Sequence, residues 1–146
     1  MDKNHKRSAR ILCLKILFAH NFSDNSFNDL VNNFFKKKDL DLSSKKYTND
    51  QIKFASKLFD IAIKNKKVVD EIVEKKLVNW EISRLAIADK MILRMSIGEM
   101  LFVDDVPPKV SITEAVEIAK EFCSKDSSSF INGIMDAIYN EKFKVS

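Results

Sequence analysis

Residues 106–123 read VPPKVSITEAVEIAKEFC, a double proline followed by apolar residues at helical spacing. Successive prolines cannot continue a helix, because each lacks an amide donor and its ring crowds the preceding turn, so the chain breaks here. Beyond the break, Ser111 and Glu114 have the S-x-x-E spacing of a capping box, and Val110 is placed to staple onto Ala115. Ile112, Ala115, Val116, Ala119, Phe122 and Cys123 then recur with the period of one buried helix face. This is the most securely marked helix start in the sequence.

Upstream, Ser83 can cap a helix running to about Val103. Leu85, Ala88, Ile92 and Met95 lie on one side of it and Met91, Leu93, Ile97 and Met100 elsewhere. A helix apolar over most of its circumference belongs at the centre of a bundle. Asn79–Trp80 separates it from a shorter helix marked by Val69, Ile72, Val73 and Leu77. Before that, Ile52, Ala55, Phe59 and Ala62 define a helix capped by Thr48 or Asn49, with Asn65 near its end. The N-terminal part supplies two more. One runs from near Ser8 to Phe22 with Ile11, Leu14, Leu17, Phe18 and Phe22 on its core face. The other begins after Asn25 or Ser26 and carries Phe27, Leu30, Val31, Phe34 and Phe35. Residues 36–47, KKKDLDLSSKKY, read as an exposed lysine-rich connection. Downstream, SKDSSS (124–129) reads as a polar turn before a last helix bearing Ile131, Ile134, Met135 and Ile138.

The sequence therefore predicts an all-α, compact bundle of about seven helices in a single domain, 1–146. Only 2 Gly and 2 Pro occur in 146 residues, which leaves little room for hairpins. With 45% hydrophobic and 32% charged residues the composition is globular rather than disordered. The apolar runs are too short to span a bilayer, and Arg10 and Lys15 interrupt any signal-peptide core. Cys13 and Cys123 lie among apolar helical neighbours, which fits two buried free thiols in a reducing cytoplasm.

The net charge of +4 is unevenly spread. Residues 1–20 carry five Lys/Arg against one acid, 36–76 carry twelve against seven, and 77–146 carry eight against eleven. A basic half beside an acidic half suits a polyanion and a basic protein as partners, although a solvated lysine-rich surface gives the same count.

Signals for catalysis are nearly absent. Gly98 and Gly133 lie inside helical patterns, so there is no glycine-rich phosphate loop. His5 and His20 have no HExxH or CxxC companion, and neither metal nor cofactor is expected. A catalytic triad assembles in space and is not readable from spacing, but His5 falls in a tail and His20 on a surface.

Two segments carry binding chemistry. In DKNHKRSAR (2–10), Lys3, Lys6, Arg7 and Arg10 cluster at the start of the first helix. A helix N-terminus carries about +0.5 of a charge, so cations there are mildly unfavourable unless an anion joins them. An ordinary basic tail is the alternative. In residues 125–133, Lys125, Asp126, Ser127 and Phe130 combine a helix start, whose amides suit a phosphate, with a hydroxyl, a carboxylate and an aromatic. Phe130 lies beside the Ile131–Ile134–Ile138 stripe, free either to stack an unpaired base or to pack on a neighbouring helix. Gly133 within this helix costs about 1 kcal/mol relative to alanine, and close approach of another helix would account for it.

Four ordered blocks resemble the NusB family: K-R-S-A-R-x-x-x-L-x-x-L-F, N-W-x-I-x-R-L-x-I-x-D-x-x-I-L-R-M-x-I-x-E-M, V-P-P-K-V-x-I-x-E-A-V-E-I-A-K-x-F and S-x-x-F-I-N-G-I-M-D. The resemblance covers nearly the whole chain and is weakest over 23–66. It implies an all-α fold of two helical subdomains and a transcription antitermination role without catalysis. The implied partners are single-stranded boxA RNA, a small ribosomal-subunit protein acting as NusE and, indirectly, the RNA polymerase elongation complex transcribing ribosomal RNA; no membrane is involved. Carried over by residue, RNA contact falls on Lys6, Arg7 and Arg10 and on Asp126, Ser127 and Phe130, with Lys3 and Lys125 beside them. The protein partner falls near Asp89. Ser8 stands where the family often has arginine, and Thr113 where asparagine is frequent. The 36–47 connection looks longer or more charged than usual. Two alternatives remain: the RNA-binding module of a ribosomal-RNA methyltransferase, disfavoured because the chain ends at Ser146 without a cofactor loop, and a helical adaptor that binds only protein.

Overall fold

The computed structural model describes residues 1–37, 47–78 and 81–144, with side chains throughout except at 34–37. Most of the lysine-rich connection, Asn79–Trp80 and the side chains of Phe34 and Phe35 lie outside the described residues. The elements are α1 (Lys3–His20), α2 (Phe27–Lys37), α3 (Asn49–Lys64), α4 (Lys66–Lys76), a 3-10 turn (Ile82–Arg84), α5 (Ile87–Phe102), α6 (Pro108–Phe122) and α7 (Lys125–Lys142). No strand occurs among the described residues, and the all-α expectation holds. The backbone forms two compact units, Met1–Asp60 and Ile61–Ser146, with α3 running across the division.

In the first unit, α1 begins five residues before the expected Ser8. Asp2 is its N-cap, accepting the His5 amide at 2.9 Å, and that hydrogen bond holds the Asp2 carboxyl below its ordinary range. His5 is therefore helical and not part of a tail. The buried face is also rotated from the expected one: Ala9, Leu12, Cys13, Leu14, Ile16 and Leu17 are buried, whereas Phe18 and Phe22 are exposed. Both faces of α1 are apolar at helical period, so spacing alone leaves the phase open; the small side chains Ala9 and Cys13 mark the face that packs closely.

Ser26 caps α2, its Oγ accepting the Asp29 amide at 3.2 Å, and Phe27, Leu30 and Val31 are buried as expected. For α3, Thr48 and Gln51 form a reciprocal capping box: Gln51 N donates to Thr48 Oγ1 at 3.1 Å and Thr48 N to Gln51 Oε1 at 2.8 Å. Phe59 on α3 meets the Phe27 ring at 5.4 Å and the edge of His20 at 5.2 Å between centroids. His20 thus packs on an aromatic neighbour.

In the second unit α5 is buried nearly all round, from Met91 to Met100 with Arg94 alone half-exposed, and α4, α6 and α7 pack against it. A methyl group at Gly98 would lie 3.1 Å from Ile61 Cγ2, so the close helix approach expected at Gly133 occurs here instead. Arg94 grips Asp70 with two bonds of 2.9 and 2.8 Å, tying α5 to α4, and Lys76 on α4 pairs with Glu141 on α7.

Four local expectations are corrected. Ser83 does not cap α5: it lies in the 3-10 turn, and extended backbone at Leu85 and Ala86 precedes the helix. Ser111 and Glu114 form no capping box. Pro108 opens α6 at the first helical position, where its missing N–H has no intrahelical partner to lose. Ser111, Ile112 and Glu114 are then buried one turn in, Val110 is exposed, and Ser111 Oγ donates to the buried Glu99 at 2.8 Å. Phe122 is exposed and Cys123, at the α6 C-cap, is half-buried rather than core. Finally, SKDSSS is no turn, since Ser124 is the N-cap and Lys125–Ser129 are helical.

Candidate nucleic-acid interface

Because Asp2 starts α1 so early, Lys3, Lys6, Arg7 and Arg10 fall at i, i+3, i+4 and i+7 on one helix face. The Asp2 carboxylate already complements the helix N-terminus, which weakens the dipole argument for a bound anion; the stripe itself is what remains. Its members are not equally placed. Lys3 is exposed, and Lys6 and Arg7 are half-buried. Arg10 is only 2% exposed, so a phosphate chain does not reach it in this conformation. Its guanidinium lies 5.5 Å from the centroid of Phe54 on α3, and Lys6 Nζ lies 5.9 Å from the same centroid. The ring quadrupole attracts both cations. Beside it, the buried Gln51 donates from Nε2 to the His5 carbonyl at 3.0 Å. The first turns of α3 therefore brace the cationic end of α1. Gln51 and Phe54 were missed in the sequence, although T-x-x-Q at 48–51 is a legible capping signal.

The second cluster lies within the second unit. A groove of about 950 Å³ is lined by Arg84, Asp89, Asp126, Ser127, Phe130 and Gly133, among others. Asp89 comes from the first turn of α5, Phe130 and Gly133 from α7, and Arg84 from the 3-10 turn, which sequence reasoning had not singled out. Asp89, expected on a protein-partner surface, thus shares one groove with Asp126, Ser127 and Phe130, expected at RNA. Lys125, at the first position of α7, is exposed.

Ser127 is 7% exposed and donates its hydroxyl proton to Asp89 Oδ2 at 2.9 Å. That proton being committed, Ser124 is the donor in its 3.0 Å contact with Ser127. Ser124 makes no side-chain cap bond to the α7 amides. The Ser127 hydroxyl is thus tied to Asp89, which faces Cys123 as well: burial first, then the Asp89 carboxylate, push that thiol up to about 12. Phe130 is half-buried in the groove wall.

Chemically the groove offers an aromatic face, two carboxylate acceptors and a guanidinium. The carboxylates disfavour a phosphate on the floor but accept hydrogen bonds from base edges. Among the described residues, no group of three or more His, Cys, Asp or Glu is placed to hold a metal ion, and no helix is long and apolar enough to cross a membrane.

Comparison with known proteins places this arrangement. The chain is 38% identical over 140 residues to transcription antitermination protein NusB of Thermodesulfovibrio yellowstonii, covering 94% of this chain and 93% of that one. It is also 38% identical over 137 residues to the protein of the same name from Chloroherpeton thalassium, covering 93% of this chain but 62% of that relative's length. A T. maritima NusB structure superposes with a TM-score of 0.79 at 31% identity, covering 93% of this chain and 91% of that one. A chain in the crystal structure of antitermination factors NusB and NusE with double-stranded RNA gives 0.79 at 23% identity, covering 96% and 99%, which shows a shared fold. The sequence pattern of the NusB family matches residues 7–140, and the chain belongs to that family.

Proposed function

We propose that this chain, acting over 1–146 as one RNA-binding domain, is a cytoplasmic transcription antitermination factor. It binds single-stranded boxA-type RNA together with a small ribosomal-subunit protein acting as NusE, and supports ribosomal RNA transcription by the RNA polymerase elongation complex. It works by binding, without catalysis of its own. The relatives carry the name of this activity, and a fold neighbour was crystallised with NusE and RNA.

The observation that carries the reading is the cation stripe along α1, with Lys3, Lys6 and Arg7 as the reachable members and Arg10 behind them. These side chains contact phosphates, a term that is sequence-tolerant and salt-dependent. The groove supplies what phosphates cannot: Phe130 stacks an unpaired base, and Asp126 accepts from a base edge. Lys125 adds a cation at the start of α7. A basic side chain of the protein partner pairs with Asp89, over the hydroxyl of Ser127, so the partner and RNA footprints adjoin.

An anisotropy titration of a labelled boxA RNA, with and without the ribosomal protein, tests this. Binding that tightens with the partner and weakens with salt is expected. A chain that takes up the ribosomal protein but shows no salt-dependent RNA affinity in either arm is a protein-only adaptor. Within the RNA reading, Phe130→Ala costs about 1–3 kcal/mol of binding.

A further inference from the structure

Gly133 lies in the interior of α7, where glycine is the poorest choice after proline. Among the described residues nothing requires it: a methyl group at this position meets none of their atoms within 4 Å. The contrast with Gly98, where a methyl would come 3.1 Å from Ile61, is direct. Gly133 does line the groove, one turn along α7 from Phe130. Positions three apart on a helix are surface neighbours, so a planar group lying flat on the Phe130 ring extends over position 133.

We propose that Gly133 is a contact residue of the RNA site, the clearance that lets a nucleobase lie flat across Phe130 and the bare α7 backbone. The inference rests on the RNA-binding reading of the groove. The space that the described residues leave over position 133 then belongs to the ligand. A side chain there improves the helix and obstructs the base, so stability and affinity move in opposite directions. Close approach of a planar ligand to backbone is a common use of a glycine whose helix would be sounder without it.

The test measures Tm and affinity for a labelled single-stranded boxA RNA, using the full chain and saturating ribosomal partner. Gly133→Ala is expected to raise Tm by about 2–4 °C and to weaken RNA binding about fivefold. Gly133→Leu, which keeps helix propensity but adds bulk, should approach the loss produced by Phe130→Ala. A raised Tm with unchanged RNA affinity in both glycine variants overturns the proposal. So does loss of affinity for the ribosomal protein with RNA affinity intact, which would place protein in the groove. If Phe130→Ala is also silent toward RNA, the reading of the groove itself fails; if Phe130→Ala weakens binding and both glycine variants do not, only the clearance is refuted.

Discussion

Ser127 on α7 gives its hydroxyl proton to Asp89 on α5 across 2.9 Å, joining a residue expected at RNA to one expected at a protein partner. Asp89 is half-exposed, so this charged hydrogen bond is screened by water and worth only about 1 kcal/mol. Ser127→Ala is expected to lower Tm by about 3 °C. It should also weaken uptake of the ribosomal protein, because Asp89 loses its orientation. A Ser127→Ala protein with wild-type affinity for that partner would detach Asp89 from the partner surface.

Cys123 provides a pH test of the same corner. With its thiol pushed up to about 12 by burial and by Asp89, only about one molecule in a thousand carries the reactive thiolate at pH 9. An unperturbed thiol, at about 8.5, would be mostly ionised there. Iodoacetamide should therefore label Cys123 slowly, with a rate still climbing at pH 10. Asp89→Asn removes the carboxylate and leaves the burial, so it should speed labelling at every pH. Mass-spectrometric rates that level off near pH 9 would contradict this.

At the start of α6, Ser111 and Glu99 are both buried and joined at 2.8 Å. Ser111→Ala takes a donor from a buried carboxylate and should cost about 1.5–3 kcal/mol in urea unfolding. A double-mutant cycle with Glu99→Met, which has no oxygen to accept the bond, separates this bond from simple packing. Strictly additive losses would mean that the two side chains do not interact energetically.

Phe54 attracts Lys6 and Arg10 at 5.9 and 5.5 Å. Replacing the ring by Phe54→Leu keeps an apolar side chain but removes the quadrupole, at a cost of about 1–2 kcal/mol in stability. RNA binding should weaken as Lys6 loses its support, and Phe54→Tyr should restore it. Equal RNA affinities for the leucine and tyrosine variants would leave Phe54 with a packing role only.

How much of this was legible in the sequence depended on which signal was local. Helix existence followed from apolar period, and α2 and α3 began where Ser26 and Thr48 said they would. Starts were misread where two local signals competed. Pro108 and the Ser111–Glu114 pair both mark a helix beginning, and the proline won because Ser111 had a buried partner twelve residues away in Glu99. Asp2 was not legible as a cap because the run after it is basic, so the helix start was placed at Ser8, within the cationic cluster rather than before it. Arg10 is buried beside Phe54 on α3, and no spacing within α1 encodes that. In the groove, Asp126, Ser127 and Phe130 were legible as a segment, whereas Arg84 and Gly133 became site residues only once the 3-10 turn and α7 shared a wall.

The most direct test of the central claim is the salt dependence of RNA binding in the Lys6→Ala/Arg7→Ala double variant. If both side chains hold phosphates of a single strand, the log–log slope of affinity against salt falls by about 1.4 relative to the unaltered protein, about 0.7 for each contact. An unchanged slope, with helicity and partner binding intact, would contradict the assignment of α1 to the RNA.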